Sequence, residues 1–317
     1  AILAGVLFVN APVSDTARVI VIRPGMNTKH IASMLEREGI IRSAILFRIV
    51  SLAEGYDGRF RSGRYALPAG TRTARTAAFL VRTAPGHVDI RVTVPEGLNI
   101  REIASLLSRK AHVDSAMFVR FSSSGTIAES LGVDNATLEG YLYPDTYFIA
   151  EGSRAYDVIR RMTARFREAV PESLTEHAGA MGFSPNEIVT LASLIETEAA
   201  NDGERTVIAS VFHRRLKAGL PLQANPTVQY ALGEKRRVYE ADLAVDSPYN
   251  TYRYRGLPPG PIANPGGKSI IAALYPAKTE FLYFVSNGAG GHVFSKTLAE
   301  HNTAVARYKK ARNRGSR

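Results

Sequence analysis

The sequence predicts an α+β fold in which small strand–turn–helix units precede a larger mixed α/β region, and three observations predict it. A strand–turn–helix pattern recurs in the first third of the chain. A series of capped, amphipathic helices follows it, one of them carrying a glutamate on its apolar side. Near the end, glycine-rich turns bracket short aromatic strands before a last helix. With 317 residues and 45% hydrophobic content, the chain has enough apolar material for two domains or one large one.

The repeat comes first. Gly25-Met-Asn-Thr-Lys-His-Ile-Ala-Ser-Met-Leu35 matches Gly97-Leu-Asn-Ile-Arg-Glu-Ile-Ala-Ser-Leu-Leu107 at six of eleven positions. Each copy follows an alternating strand, Arg18–Arg23 or Asp89–Val94, and each helix is expected to open after its Asn. A weaker third copy runs from Tyr65 through Gly70 and Thr73 into Leu80. Such units need neighbours to bury their apolar faces. Between the first two copies, Arg59–Tyr65 reads as a hairpin arm. The segment 108–150 is irregular and ends in Leu138-Glu-Gly-Tyr-Leu-Tyr-Pro-Asp-Thr-Tyr147.

Helices are then expected over 155–170, over 185–200 and over about 204–218. Ser184, Pro185 and Glu187 form a capping-box start for the second, and Gly219 stops the third. Pro and Gly dominate 221–267. Phe281–Val285 reads as a buried strand, turns follow at Asn287-Gly288 and Gly290-Gly291, and the last helix covers 298–308. Residues 309–317 are a basic tail expected to be a disordered, solvated extension.

Composition excludes several function classes. There is no cysteine, hence no disulfide or thiolate metal site, and the seven histidines are scattered without ligand spacing, so neither metal nor other cofactor is expected. Phosphate-cradling loops, dinucleotide fingerprints and serine-hydrolase elbows are absent from the sequence. The net charge of +11 is spread along the chain, without aromatic residues interleaved as stacking platforms, so no nucleic-acid partner is expected. Residues 1–9 are apolar and uncharged; 1–13 reads as the residual end of a membrane anchor.

The chemical clue is the run Leu191-Ala-Ser-Leu-Ile-Glu-Thr-Glu198. Leu191, Leu194, Ile195 and Glu198 share one helix face, while Glu196 points away from it. A carboxyl among apolar neighbours loses hydration and holds its proton, as a general acid requires. The alternative is a rim glutamate paired with Arg205 or Arg214. Beyond it, Gln223, Asn225, Tyr249, Asn250, Tyr252 and Asn264 concentrate amides and phenols on proline-stiffened backbone. Those groups suit a neutral, hydroxyl-rich ligand, and equally suit ordinary turns.

The ordered motifs Glu139-Gly-Tyr-Leu-Tyr-Pro-Asp-Thr-Tyr147, Ala192–Glu198, Gly219-Leu-Pro-Leu-Gln-Ala-Asn-Pro-Thr-Val228, Ser247-Pro-Tyr-Asn-Thr-Tyr252, Gly256–Gly266 and Gly291-His-Val-Phe294 closely resemble the YceG-like (MltG) family of membrane-anchored endolytic murein transglycosylases. The resemblance covers about 18–308. It implies a LysM-like module over 18–110 and a catalytic domain over 111–308, held outside a bacterial inner membrane by a single-pass anchor. It implies cleavage of the β-1,4 bond between N-acetylmuramic acid and N-acetylglucosamine within peptidoglycan strands, giving 1,6-anhydro ends during wall synthesis. Wall-synthesis machinery is the implied protein partner. The catalytic Glu of the family falls on Glu198, with Gln223, Asn225, Tyr249, Asn250, Tyr252 and Asn264 as candidate glycan contacts. Glu196, Glu204, Glu139 and Asp145 are the rival carboxylates. Where the family commonly has Asp, this chain has Asn225. A hydrolytic muramidase, a non-enzymatic wall scaffold and a polyanion binder are the other readings.

Overall fold

In a computed structural model, residues 13, 16–23, 25–86, 89–170 and 173–315 are described. The expected anchor residues 1–12 lie outside them. Among the described residues, no helix is long and apolar enough to cross a membrane. The chain divides into two compact units: residues up to 90 with 149–151, and residues 91–148 with 152–317. This division falls within the strand of the second repeat copy, whereas the boundary read from the sequence is at 110/111.

In the first unit, β1 (Arg18–Ile22) leads to α1 (Thr28–Arg37), α2 (Ala44–Ala53), β2 (Gly63–Leu67) and α3 (Thr73–Arg82). Asn27 caps α1 by accepting from His30 N, as its sequence position predicts. Strand β2 pairs antiparallel with β1, Ile20 opposite Tyr65. Two helices intervene between these strands, so the expected hairpin arm is instead one strand of a non-local pair. Ile20, Ile22, Ile31, Leu35, Phe47, Tyr65, Leu67 and Leu80 form the unit's core.

The second copy of the repeat supplies β3 (Asp89–Thr93) and α4 (Ile100–Ala111), whose Asn99–Glu102 capping box closes in both directions. The stretch read as irregular contains α5 (Ser115–Ser122), α6 (Gly125–Ser130) and β4 (Thr146–Ala150), the partner of β3. Then come α7 (Ala155–Ala169), α8 (Leu174–Ala180), α9 (Pro185–Glu198), α10 (Arg205–Lys217), α11 (Asn225–Leu232) and α12 (Gly267–Leu274). Strands β5 (Tyr283–Ser286) and β6 (His292–Ser295) form an antiparallel hairpin, half-buried instead of fully buried as expected. The last helix, α13, covers Leu298–Gly315 and so takes in most of the tail expected to be disordered. Its Ala, Lys and Arg residues favour helix once a preceding turn exists.

Helix α9 is the axis of the second unit. Ile188 to Ile195 are all buried, and α9 packs against α10 and α12. An all-round apolar helix of this kind belongs in a core. Glu198, its last residue, therefore emerges at the edge of that core.

Candidate active site

Two carboxylates leave the end of α9, and the structure gives them different surroundings. Glu196 accepts from Arg205 Nη1 at 2.8 Å and from Gly266 N at 3.0 Å, and its side chain is only 5% exposed. Arg205 also pairs with Asp202 at 3.1 Å and Glu96 at 3.7 Å. Glu196, read from the sequence as pointing away from the Glu198 face, is buried and ties α9 to the start of α12 through the Arg205 guanidinium and the Gly266 amide. Arg205, offered as a possible partner of Glu198, is committed to Glu196, and Arg214 donates to Thr279 O.

Glu198 is half-buried and, among the described residues, has no salt-bridge partner. Burial pushes its carboxyl up to about 7, against a hydrogen bond from Asn225 N that favours the charged form. Its position at the C-terminal end of α9 works in the same direction as burial, since that end of a helix disfavours a negative charge. The first amide of α11 faces it from the other side.

Around Glu198 stand neutral groups. Asn225 is exposed, and its Oδ1 accepts from the Tyr252 hydroxyl at 2.8 Å. Burial raises the Tyr252 phenol to about 12, with the charge of Glu198 adding to the shift and Arg215 opposing it. Gln223 is exposed, in the left-handed region at φ 55, and accepts from Arg215 Nη2 at 2.6 Å. A non-glycine residue at positive φ costs energy and must be held by its surroundings. Thr251 does so: its carbonyl accepts from Gln223 N at 3.1 Å, and its hydroxyl accepts from Ala224 N at 3.0 Å and meets Thr227 Oγ1 at 2.9 Å.

Three of the expected contacts stand elsewhere. Asn250 is fully buried; its amide donates to Leu243 O and Val245 O, and its Oδ1 accepts from Tyr252 N. It is a loop staple with no free polar atom for a ligand. Asn264 is likewise buried, donating to Leu98 O and Glu139 and accepting from Leu142 N. Both assignments as glycan contacts are corrected for the same reason: a buried amide spends its hydrogen bonds on neighbouring protein groups. Tyr249 is half-buried with its ring 4.8 Å from that of Tyr230, on the side of Glu139.

The rival carboxylates are all accounted for. Glu204 accepts from His292 N at 2.6 Å and meets His292 Nδ1 at 2.8 Å, fastening β6 to the start of α10. Asp145 is paired with Arg165 at 2.6 Å and lies below the usual carboxylate range for that reason. Glu139 is buried with its carboxyl pushed up to about 8, and takes hydrogen bonds from Ile100 N, Asn264 Nδ2 and the Tyr230 hydroxyl.

Arg215 was missed from the sequence. Its guanidinium lies 5.4 Å over the Tyr283 ring, and its Nε has no hydrogen-bond partner among the described residues. The signal was present: Ile208, Val211, Phe212 and Arg215 share the i, i+3, i+4, i+7 face, the pattern that singled out Glu198.

Next to this group runs a cleft of about 1220 Å³, lined by Thr197 and Pro226, the chain neighbours of Glu198 and Asn225, and by Gly97, Ile100, Tyr230, Gly233 and Ile262. Among the described residues no His, Asp or Glu cluster is arranged to hold a metal ion.

Residues 20–307 match the YceG-like family. A Bacillus subtilis protein named endolytic murein transglycosylase is 38% identical over 95% of this chain and 87% of its own length. A Streptococcus pneumoniae protein of the same name is 29% identical over 90% of this chain, which spans 57% of that protein. The crystal structure of a putative YceG-like protein from Listeria monocytogenes, 32% identical, superposes with a TM-score of 0.63 over 92% of this chain and 99% of that one. With a family match over nearly its whole length, the chain belongs to the YceG-like family.

Proposed function

We propose that this chain is an endolytic murein transglycosylase in which Glu198 serves as both acid and base. The observation that carries the reading is a carboxyl raised to about 7 without an ion-pair partner, beside the neutral Asn225 and Tyr252. Near neutral pH such a group is divided between its protonated and ionised forms, so it gives up a proton and takes one back at small cost. Glu198 donates its proton to the glycosidic oxygen as the bond from muramic acid C1 breaks. The C6 hydroxyl of the same sugar then attacks C1, and its proton returns to Glu198. A 1,6-anhydro end forms without water entering the product. One carboxyl suffices because the nucleophile belongs to the substrate and is already in reach.

A hydrolase needs a second carboxylate to activate water or form a glycosyl ester. Asn225 stands where the family commonly has Asp, and an amide cannot take that role. Gln223, Asn225 and Tyr252 are the proposed glycan contacts, with Gln223 steadied by Arg215. The catalytic unit would work outside the cytoplasmic membrane, where the glycan is, and near the wall-synthesis machinery. Apolar residues 1–9 would contribute to a membrane segment, and the first unit is proposed as the LysM-like part.

The test is mass spectrometry of purified peptidoglycan digested with the wild-type chain and with Glu198→Gln. Anhydromuramoyl ends from the wild type alone are expected. Reducing ends would replace this reading with a hydrolase, and no cleavage by either chain would favour a scaffold.

A further inference from the structure

The wall of the cleft beside Glu198 pairs its carboxylates but leaves two of its arginines without a carboxylate partner among the described residues. Every carboxylate on its wall has a basic partner: Glu96 and Glu196 pair with Arg205, Glu102 with Lys235 at 2.8 Å, and Glu234 with Arg236 at 3.0 Å. The arginines are not matched in return. Arg101 and Arg109 line the same cleft, both exposed, and neither has a carboxylate partner among the described residues. Arg109 only donates to Ser105 at 2.8 Å, one turn back on α4.

The same two arginines also line a second, adjoining groove of about 630 Å³ between α4 and α5, which adds the exposed Arg120, likewise without a carboxylate partner. The two depressions share Arg101, Ser105, Arg109 and Val119, so they form one path leading away from Thr197 and Pro226. Arg101 and Arg109 are eight residues apart on α4, on neighbouring sides of two helical turns. Ser105, Ser108 and Ser115 lie along the groove as hydroxyl donors.

We propose that this arginine-lined groove is a subsite for the acidic peptide carried by the muramic acid of the substrate, a proposal that rests on the lytic reading of Glu198. A neutral sugar chain has no use for three unpaired guanidinium groups. A strand whose lactyl groups bear peptides presents carboxylates at regular intervals, and Arg binds carboxylates through a planar fork of donors. A groove continuous with the cleft receives such a branch while the glycan itself lies at Glu198. The chain thereby selects peptide-bearing strands over strands stripped of peptide.

The experiment measures binding of soluble peptide-bearing strands, and of the same strands stripped by an amidase, to the Glu198→Gln chain at low and high salt. At low salt, peptide-bearing strands bind about tenfold more tightly, as a few exposed charge contacts allow, and salt shrinks the difference. Adding Arg101→Gln, Arg109→Gln and Arg120→Gln removes the difference. Adding Arg307→Gln, Lys309→Gln and Lys310→Gln instead, which lowers the net charge equally on α13, leaves it in place. Equal binding of the two strands by the starting chain, or loss of preference with the α13 changes too, overturns the proposal. So does a preference that survives the three groove changes. Vesicles rich in phosphatidylglycerol serve as a further arm; groove-dependent vesicle binding without strand preference would assign the arginines to a lipid surface instead. Cleavage of both strands by the wild-type chain is scored separately, so failure of the lytic reading appears there and failure of the groove appears in binding.

Discussion

At the scale of single residues, the behaviour of Glu198 follows from where its proton sits. With the carboxyl raised to about 7, it is protonated on the acidic side and gives up its proton as pH rises through that value. On the lytic reading, kcat/KM measured against pH therefore declines above about 7, roughly tenfold per unit at the limit. A rate that stays level from pH 6 to 9 would remove Glu198 as the acid. Asn225 gives a sharper test, because it decides whether a second carboxylate exists. Asn225→Asp places a carboxylate next to the Tyr252 hydroxyl that Asn225 Oδ1 now accepts from. Like charge raises the Glu198 carboxyl further, so the alkaline limb of the activity profile moves upward. The new carboxylate also offers a base for water, and reducing ends join the anhydro ends in the product mixture. Mass spectra with anhydro ends alone would mean that the C6 hydroxyl, and not the residue at 225, determines the outcome.

At the scale of elements, the site is positioned by close approaches that leave little room for change. Gly140 sits at φ 89, and a Cβ there would lie 2.5 Å from Pro261 Cγ and 2.8 Å from Val189 Cγ1. Gly140→Ala combines backbone strain with overpacking against α9, at a cost of about 2–5 kcal/mol. Gly152 is also left-handed, but nothing lies within 4 Å of its would-be Cβ, so Gly152→Ala should cost only about 1 kcal/mol. Urea midpoints of the two variants make the comparison; equal losses would show that packing against Pro261 and Val189 is not what matters. The same distinction explains how much was legible in the sequence. Local signals held: the Asn27 and Asn99 caps, the Ser184–Glu187 box and the stop at Gly219 all form as spaced. Helices α2, α5, α6, α8, α11 and α12 were not recognised, because short segments set by tertiary packing carry little periodicity of their own. Within the candidate site, face periodicity singled out Glu198 but could not show that Glu196 would be buried as well, against Arg205 and Gly266. Amide-rich loops could not say which Asn was free: Asn225 is exposed, whereas Asn250 and Asn264 are buried and bonded to backbone and, for Asn264, to Glu139.

At the scale of the whole molecule, protons link the site to the stability of the fold. Glu198 and Glu139 hold their protons to about 7 and about 8, against an unfolded value of 4.5 for each. Between those limits the folded chain keeps protons that the unfolded chain has released, so these groups make stability fall as pH rises. His213 and His301 work in the opposite sense: burial lowers both below the unfolded value of 6.5, so their contribution is lost as pH drops under it. The two pairs therefore contribute slopes of opposite sign below about pH 6.5. Above it the unfolded histidines lose their remaining protons within about one pH unit, and the two carboxyls set the slope. Stability should fall by about 2 kcal/mol between pH 6.5 and 8, most of it from Glu139, whose folded value is the higher. At the acid end, Asp145, Asp202, Asp242 and Glu204 are all held low by their hydrogen-bonded partners, so stability is lost as pH falls through their range. Denaturant titrations at pH 5, 6.5 and 8 test the upper slope, with Glu139→Gln as the comparison. Its amide still accepts from Ile100 N but carries no proton to release, so less than half of the fall should remain. An undiminished slope in that variant would mean that Glu139 is already ionised at pH 6.5, with the donors from Ile100, Asn264 and Tyr230 outweighing its burial.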